Sequence, residues 1–131
     1  MLVKLFILHK DLHSVAVKPE DVDSEFEFIQ GNDLYMEPAD DAVRRIAKNA
    51  IGEQIGDSEF KLVRRESTTV INNGTCSVDS VAVYVHECKY GEVELRNTGY
   101  DWIPVSRVIS SLCDCGKYFE AAYLDEACKV V

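Results

Sequence analysis

Between residues 38 and 52 both ends of one helix are written into the chain. Pro38 takes a first helical position, Asp40 and Asp41 put negative charge in the first turn, and Gly52 follows the last periodic residue. Ala42, Val43, Ile46, Ala47 and Ala50 fall on one face, so this helix requires an apolar layer to lie against. The segments on either side supply it. Residues 2–8 and 13–17 suggest two strands joined at Lys10-Asp11, and residues 25–31 alternate charge with aromatic before stopping at a glycine. Residues 60–71 and 78–88 carry β-branched and aromatic runs around Asn72-Asn73-Gly74, a hairpin signal. Pro104 and Ser106 open a second helix within 99–112, and residues 117–131 read as a third.

Strands, a helix, more strands and then helices predict an α+β fold with a mixed sheet, and residues 1–131 fit a single domain large enough for its own core. Acidic residues outnumber basic ones by 23 to 14, and a formal charge of −9 repels phosphate backbones, so free nucleic acid is not the expected partner. Five cysteines form no even disulfide framework and are expected to be reduced thiols of a cytoplasmic protein. The opening residues 1–10 have too short an apolar core for export or for spanning a bilayer and are expected to form a buried strand, with no membrane partner.

Counting from Gly31, Glu37 lies six residues on, Arg45 fourteen on and Gly52 twenty-one on. This spacing resembles the Nudix box, G-x5-E-x7-R-E-U-x-E-E-x-G-U with U aliphatic, and fits it without a gap. Residues 26–31 resemble the W-E-L-P-G-G segment that leads into the box, and Asp101-Trp102-Ile103-Pro104 is similar to the family's later W-x-P segment. The resemblance implies a Nudix-like α/β/α sandwich in which Glu37 and Arg45 hold the loop to the helix while Gly31 and Gly52 permit the turns.

The departures fall on the chemistry. At the family's catalytic glutamates this chain has Ile46, Asn49 and Ala50. Positions i, i+3 and i+4 share a helix face, which lets three carboxylates converge on Mg²⁺ or Mn²⁺ in the family. One amide and two hydrocarbon side chains do not replace them, so no catalytic residue, metal or cofactor is expected. Glu53 also stands where the box has an aliphatic residue, and Gln30 precedes Gly31 in place of glycine.

The resulting expectation is a catalytically silent Nudix-like binding or regulatory module. Its partner would be a protein, as for an adaptor or inhibitor, or a nucleotide-type small molecule held without hydrolysis; a homodimer is in keeping with the family. Gln30, Asn49, Tyr84 and Glu87 are the ligand-binding candidates, being polar or aromatic and expected to face the box helix. The competing reading is a hydrolase of nucleoside diphosphate derivatives whose Mg²⁺ or Mn²⁺ is held by relocated acids, drawn from Glu37, Asp40, Asp41, Glu53, Glu87, Glu92 and Glu94. A third is an acidic surface that mimics nucleic acid. Cys113, Cys115 and Cys128 with His86 and Cys88 lack the paired spacing of a structural zinc site, and a Cys88 nucleophile paired with His86 or His9 has no orienting third group. Trp102 is expected in the core, and Phe26, Phe28, Tyr35 and Tyr84 either fill the core or stack on a ligand.

Overall fold

The structure, a computed structural model, describes residues 1–19 and 25–131. Its centre is β1 (Leu2–His9), an apolar strand apart from Lys4 and the terminal His9. Such a run signals burial on both faces. On one edge β1 pairs in parallel with β6 (Thr75–Cys88), Leu2 opposite Val81 and His9 opposite Cys88. The other edge is shared by two antiparallel neighbours: β4 (Ile29–Asn32) lies beside Leu2–Leu5, and β2 (Ser14–Pro19) meets Leu8 and His9. Beyond β2 lie β3 (Phe26–Glu27) and β7 (Asp101–Pro104), and β5 (Lys61–Asn72) forms the far edge against β6.

Alternation along β1 sorts the core into two layers. Val3, Leu5 and Ile7 face Ala42, Val43, Ile46, Ala47 and Ile51 of α1 (Ala39–Ile51). Phe6 and Leu8 face the opposite side, with Val83 and Val85, against α2 (Val105–Asp114) and α3 (Tyr118–Val130). Each fully buried aliphatic side chain contributes about 1.5–3 kcal/mol to this arrangement. The α/β/α sandwich expected from the sequence is thus present, with a mixed sheet of seven strands among the described residues. No helix there is long and apolar enough to cross a membrane.

Three boundaries differ from expectation. Pro38 lies just outside α1 with extended backbone (φ −60°, ψ 146°), so the first helical residue is Ala39. The segment 25–31 is two strands: Phe26 pairs with β2, Ile29 pairs with β1, and Phe28 bridges the change of neighbour. The hairpin turn is tighter, since Asn72 still pairs with Thr75 and only Asn73 (φ 51°) and Gly74 (φ 78°) turn the chain.

Candidate functional site

α1 is tied to the loop before it by one ion pair. Arg45 Nε donates to Glu37 Oε2 at 3.0 Å and its Nη2 to Glu37 Oε1 at 3.0 Å, while Nη2 also reaches the Asn32 carbonyl at 2.8 Å. The Leu34 amide donates to the same carboxylate at 3.1 Å. The guanidinium, followed by that amide, holds the Glu37 carboxyl below the usual carboxylate range, and the carboxylate raises Arg45 in turn. Loop 32–37 is thereby pinned through its ends, and its middle projects: Leu34 is 58% exposed, Tyr35 95% and Met36 84%.

One residue beyond Arg45 the surroundings change. The Ile46 side chain is buried against Gly31, where a methyl group added to the glycine would sit 3.2 Å from Ile46 Cγ1. Gly31 is therefore a point of close approach between β4 and a side chain of α1. Ile46, exposed Asn49 and half-buried Ala50 form one wall of a shallow cleft of about 300 Å³, completed by Ile29, Gln30, Gly31, Arg45 and Tyr100. Among the described residues no carboxylate lines it. Gly52 closes the helix at φ 87°, its amide donating to the Lys48 carbonyl at 2.8 Å.

The four ligand-binding candidates do not converge. Asn49 lies on the cleft wall, and Tyr84 faces α1, where its hydroxyl donates to Asp40 Oδ1 at 2.9 Å; burial, then this contact, pushes its phenol up to about 12. The side chains of Gln30 and Glu87 turn to the opposite layer, unlike the expected facing, although Gln30 borders the box cleft with Asn49 and Glu87 borders a wider cleft with Asp40. Because Gly31 faces α1, strand alternation turns the Gln30 side chain to the opposite layer, where its Oε1 accepts from buried Lys4 at 2.9 Å and the same ammonium meets Glu120 of α3 at 3.2 Å. Glu87 follows Val83 and Val85 onto that side and lies beside Val105 and Cys128. Phe28 and Tyr84 are core residues, and Trp102 packs edge-on to His9 at 5.1 Å against the core, whereas Tyr35 belongs to neither group.

A wider cleft of about 620 Å³ opens at the other end of α1, bordered by Asp40, Arg44, Phe60, Lys61, His86 and Glu87. Three of its polar side chains, Asp40, Arg44 and His86, have partners within the protein. The Arg44 guanidinium donates to the carbonyls of Gly56 and Ser58 and lies 5.0 Å over the Phe60 ring. His86 Nδ1 is 2.8 Å from the Glu59 carbonyl and Nε2 is 3.0 Å from Glu92 Oε1. Glu92 also accepts from the Lys89 amide, the main cause of its lowered pKa. Sequence reasoning missed Arg44 and also Gln54, whose amide bonds the Ile51 and Glu94 carbonyls at 2.8 and 2.7 Å and the Glu94 amide at 2.8 Å. No spacing pattern announces a side chain whose partners are backbone carbonyls.

The acids proposed for a relocated cation site are dispersed. Glu37 is on Arg45, Asp40 on Tyr84, Glu92 on His86, Glu94 on the Arg96 amide, and Glu53 within 3.6 Å of Lys48. Among the described residues no three His, Cys, Asp or Glu side chains are grouped as metal ligands. The donors in the box cleft do not fit a hard divalent ion, which takes several oxygen ligands. Cys88 is fully buried on the α1 side, apart from exposed Cys113 and Cys115, and burial pushes its thiol up to about 12, which keeps it protonated rather than nucleophilic.

No family model and no curated protein matches the chain by sequence. Solved structures match it by shape. An Ap4A hydrolase of C. elegans superposes with a TM-score of 0.62 at 14% identity, over 95% of this chain and 92% of that one. A Nudix hydrolase from M. smegmatis gives 0.57 at 12% identity, over 83% and 73%. The fold is Nudix-like. Another likeness, at TM-score 0.59 and 11% identity, is to Shewanella oneidensis NrtR in complex with a 27mer DNA, of which this chain covers 52% and which covers 83% of this chain. At such identities the likeness is one of fold, and the Nudix frame of Gly31, Glu37, Arg45 and Gly52 is the part of it that the side-chain geometry fills in.

Proposed function

We propose that this protein is a Nudix-fold binding module that engages a protein partner without metal-dependent hydrolysis. The reading is carried by the cleft beside α1, where Ile46, Asn49 and Ala50 take the positions at which the family gathers carboxylates. Ile46 does more than remove a ligand: its side chain fills the space over Gly31. What the retained ion pair now presents to solvent is Leu34, Tyr35 and Met36, three large apolar side chains in succession on a loop anchored at both ends. A rigid apolar projection of this kind is the usual core of a protein interface and a poor grip for a phosphate.

Calorimetric titration with Mg²⁺ and Mn²⁺, together with product assays on a panel of nucleoside diphosphate derivatives, tests the first half. No saturable metal heat and no product are expected. Turnover that disappears in Glu87→Gln or Glu92→Gln would instead establish the relocated-acid hydrolase, and saturable binding of an intact nucleotide would move the function to a small ligand. For the second half, Tyr35→Ser and Met36→Ser together are expected to abolish capture of the partner while leaving the melting temperature unchanged. Equal capture by the variant and the native chain would refute the role of this loop.

A further inference from the structure

β6 is longer than the sheet requires. β1 covers it from Val81 to Cys88, and the residues before that, Thr75–Ser80, have only β5 as a strand neighbour among the described residues. Paired with Ser67–Asn72, they form a two-stranded arm about 20 Å long at roughly 3.3 Å per residue. Every residue from Ser67 to Asp79 is exposed, on both faces of the arm. A hairpin without cover on either face is marginal in water.

Natural edge strands are usually guarded by lysine, proline or a bulge. This one is unguarded. From Ser67 to Val78 there is neither a charge nor a proline, the longest uncharged run in a chain of net charge −9. The one register irregularity of β5, at Val63, lies in the body of the sheet rather than in the arm.

We infer that the arm pairs with the arm of a second copy of this chain, β5 against β5 in antiparallel register about a two-fold axis at Thr69. Two molecules this acidic repel wherever their charged surfaces meet, and the arm is the stretch on which they meet without opposing charges. Antiparallel pairing of a strand with itself is isologous, so the same backbone groups serve on both sides. Centred on Thr69, the pairing sets Thr68 against Val70, Ser67 against Ile71 and Glu66 against Asn72, joining β-branched side chains without any like-charge pair. Two marginal hairpins become one four-stranded sheet. The β6 edge of the arm is less suited, because it carries Asp79 within the arm itself. This pairing does not depend on whether the domain hydrolyses anything.

Sedimentation equilibrium of the full chain at about 100 µM is expected to give twice the monomer mass. Thr69→Lys, which places two ammonium groups on the axis, is expected to weaken the dimer at least about tenfold while circular dichroism and the melting temperature, both measured at a dilution where the native chain is also monomeric, stay unchanged. Under mild oxidation Thr69→Cys is expected to cross-link through the introduced thiol, since facing strand residues fall within disulfide reach, whereas the native chain does not cross-link through exposed Cys76. A monomeric native chain, a dimer indifferent to Thr69→Lys, or a disulfide mapped between two Cys76 residues, which would put β6 at the axis, would each overturn the proposal.

Discussion

Arg45 and Ile46 are adjacent in the chain and separate two regions of opposite character. On the Arg45 side the box keeps its polar frame: a two-pronged ion pair to Glu37, a bond to the Asn32 carbonyl and a loop amide on the same carboxylate. On the Ile46 side hydrocarbon occupies the space against Gly31, and the exposed end of the wall is an amide. The contrast sets two requirements side by side that differ in the groups they need. Holding a loop in place takes a guanidinium and a carboxylate at fixed spacing; gripping a cation takes further acids on the neighbouring face. The first is met here by Arg45 alone on this stretch of the helix, without any contribution from Ile46, Asn49 or Ala50.

The largest way to break this contrast is Ile46→Ala, which empties the hydrocarbon side. Urea unfolding is expected to show a loss of about 2–4 kcal/mol, because the close approach at Gly31 leaves a cavity that β4 and α1 cannot collapse. Glu37→Gln acts on the other side, and its effect on melting temperature is expected to be smaller; hydrogen exchange should quicken at Leu34–Glu37 while the centre of α1 stays protected. The same residue sharpens the comparison through pH. Its folded pKa is lowered, so it stabilises the fold fully above the unfolded carboxylate value of about 4.3 and loses that contribution as pH falls through the lower folded value. Glu66 and Glu92 are shifted in the same direction, so the acid limb of the stability curve should become shallower in Glu37→Gln but not disappear. The smallest effect is expected for Asn49→Ala, within about 0.5 kcal/mol, since Asn49 is exposed.

Much of this was legible in the sequence because the signals are local. Gly31, Glu37, Arg45 and Gly52 sit at fixed spacing around one helix, and Asn73-Gly74 allows the positive φ that a two-residue hairpin needs. The facing of the Gln30 and Glu87 side chains was misjudged for a reason the sequence already contained: once Gly31 and Tyr84 face α1, the period of two on a strand sends both side chains to the other layer, although both residues still border clefts beside α1. The split of residues 25–31 into two strands was not legible. It follows from the sharing of one β1 edge between β4 and β2, which depends on residues distant in the chain. The cleft contacts of Arg44 and Gln54 were hidden likewise, their carbonyl partners being set by the path of the backbone.

The parallel pairing of β1 with β6 governs how the molecule is made. During synthesis β1 cannot be covered along that edge until its partner, ending at Cys88, has followed it. Val3, Leu5 and Ile7 have α1 to cover them before then, whereas Phe6 and Leu8 wait for β6, α2 and α3 and stay bare on the nascent chain for longer, a natural client for holdase chaperones.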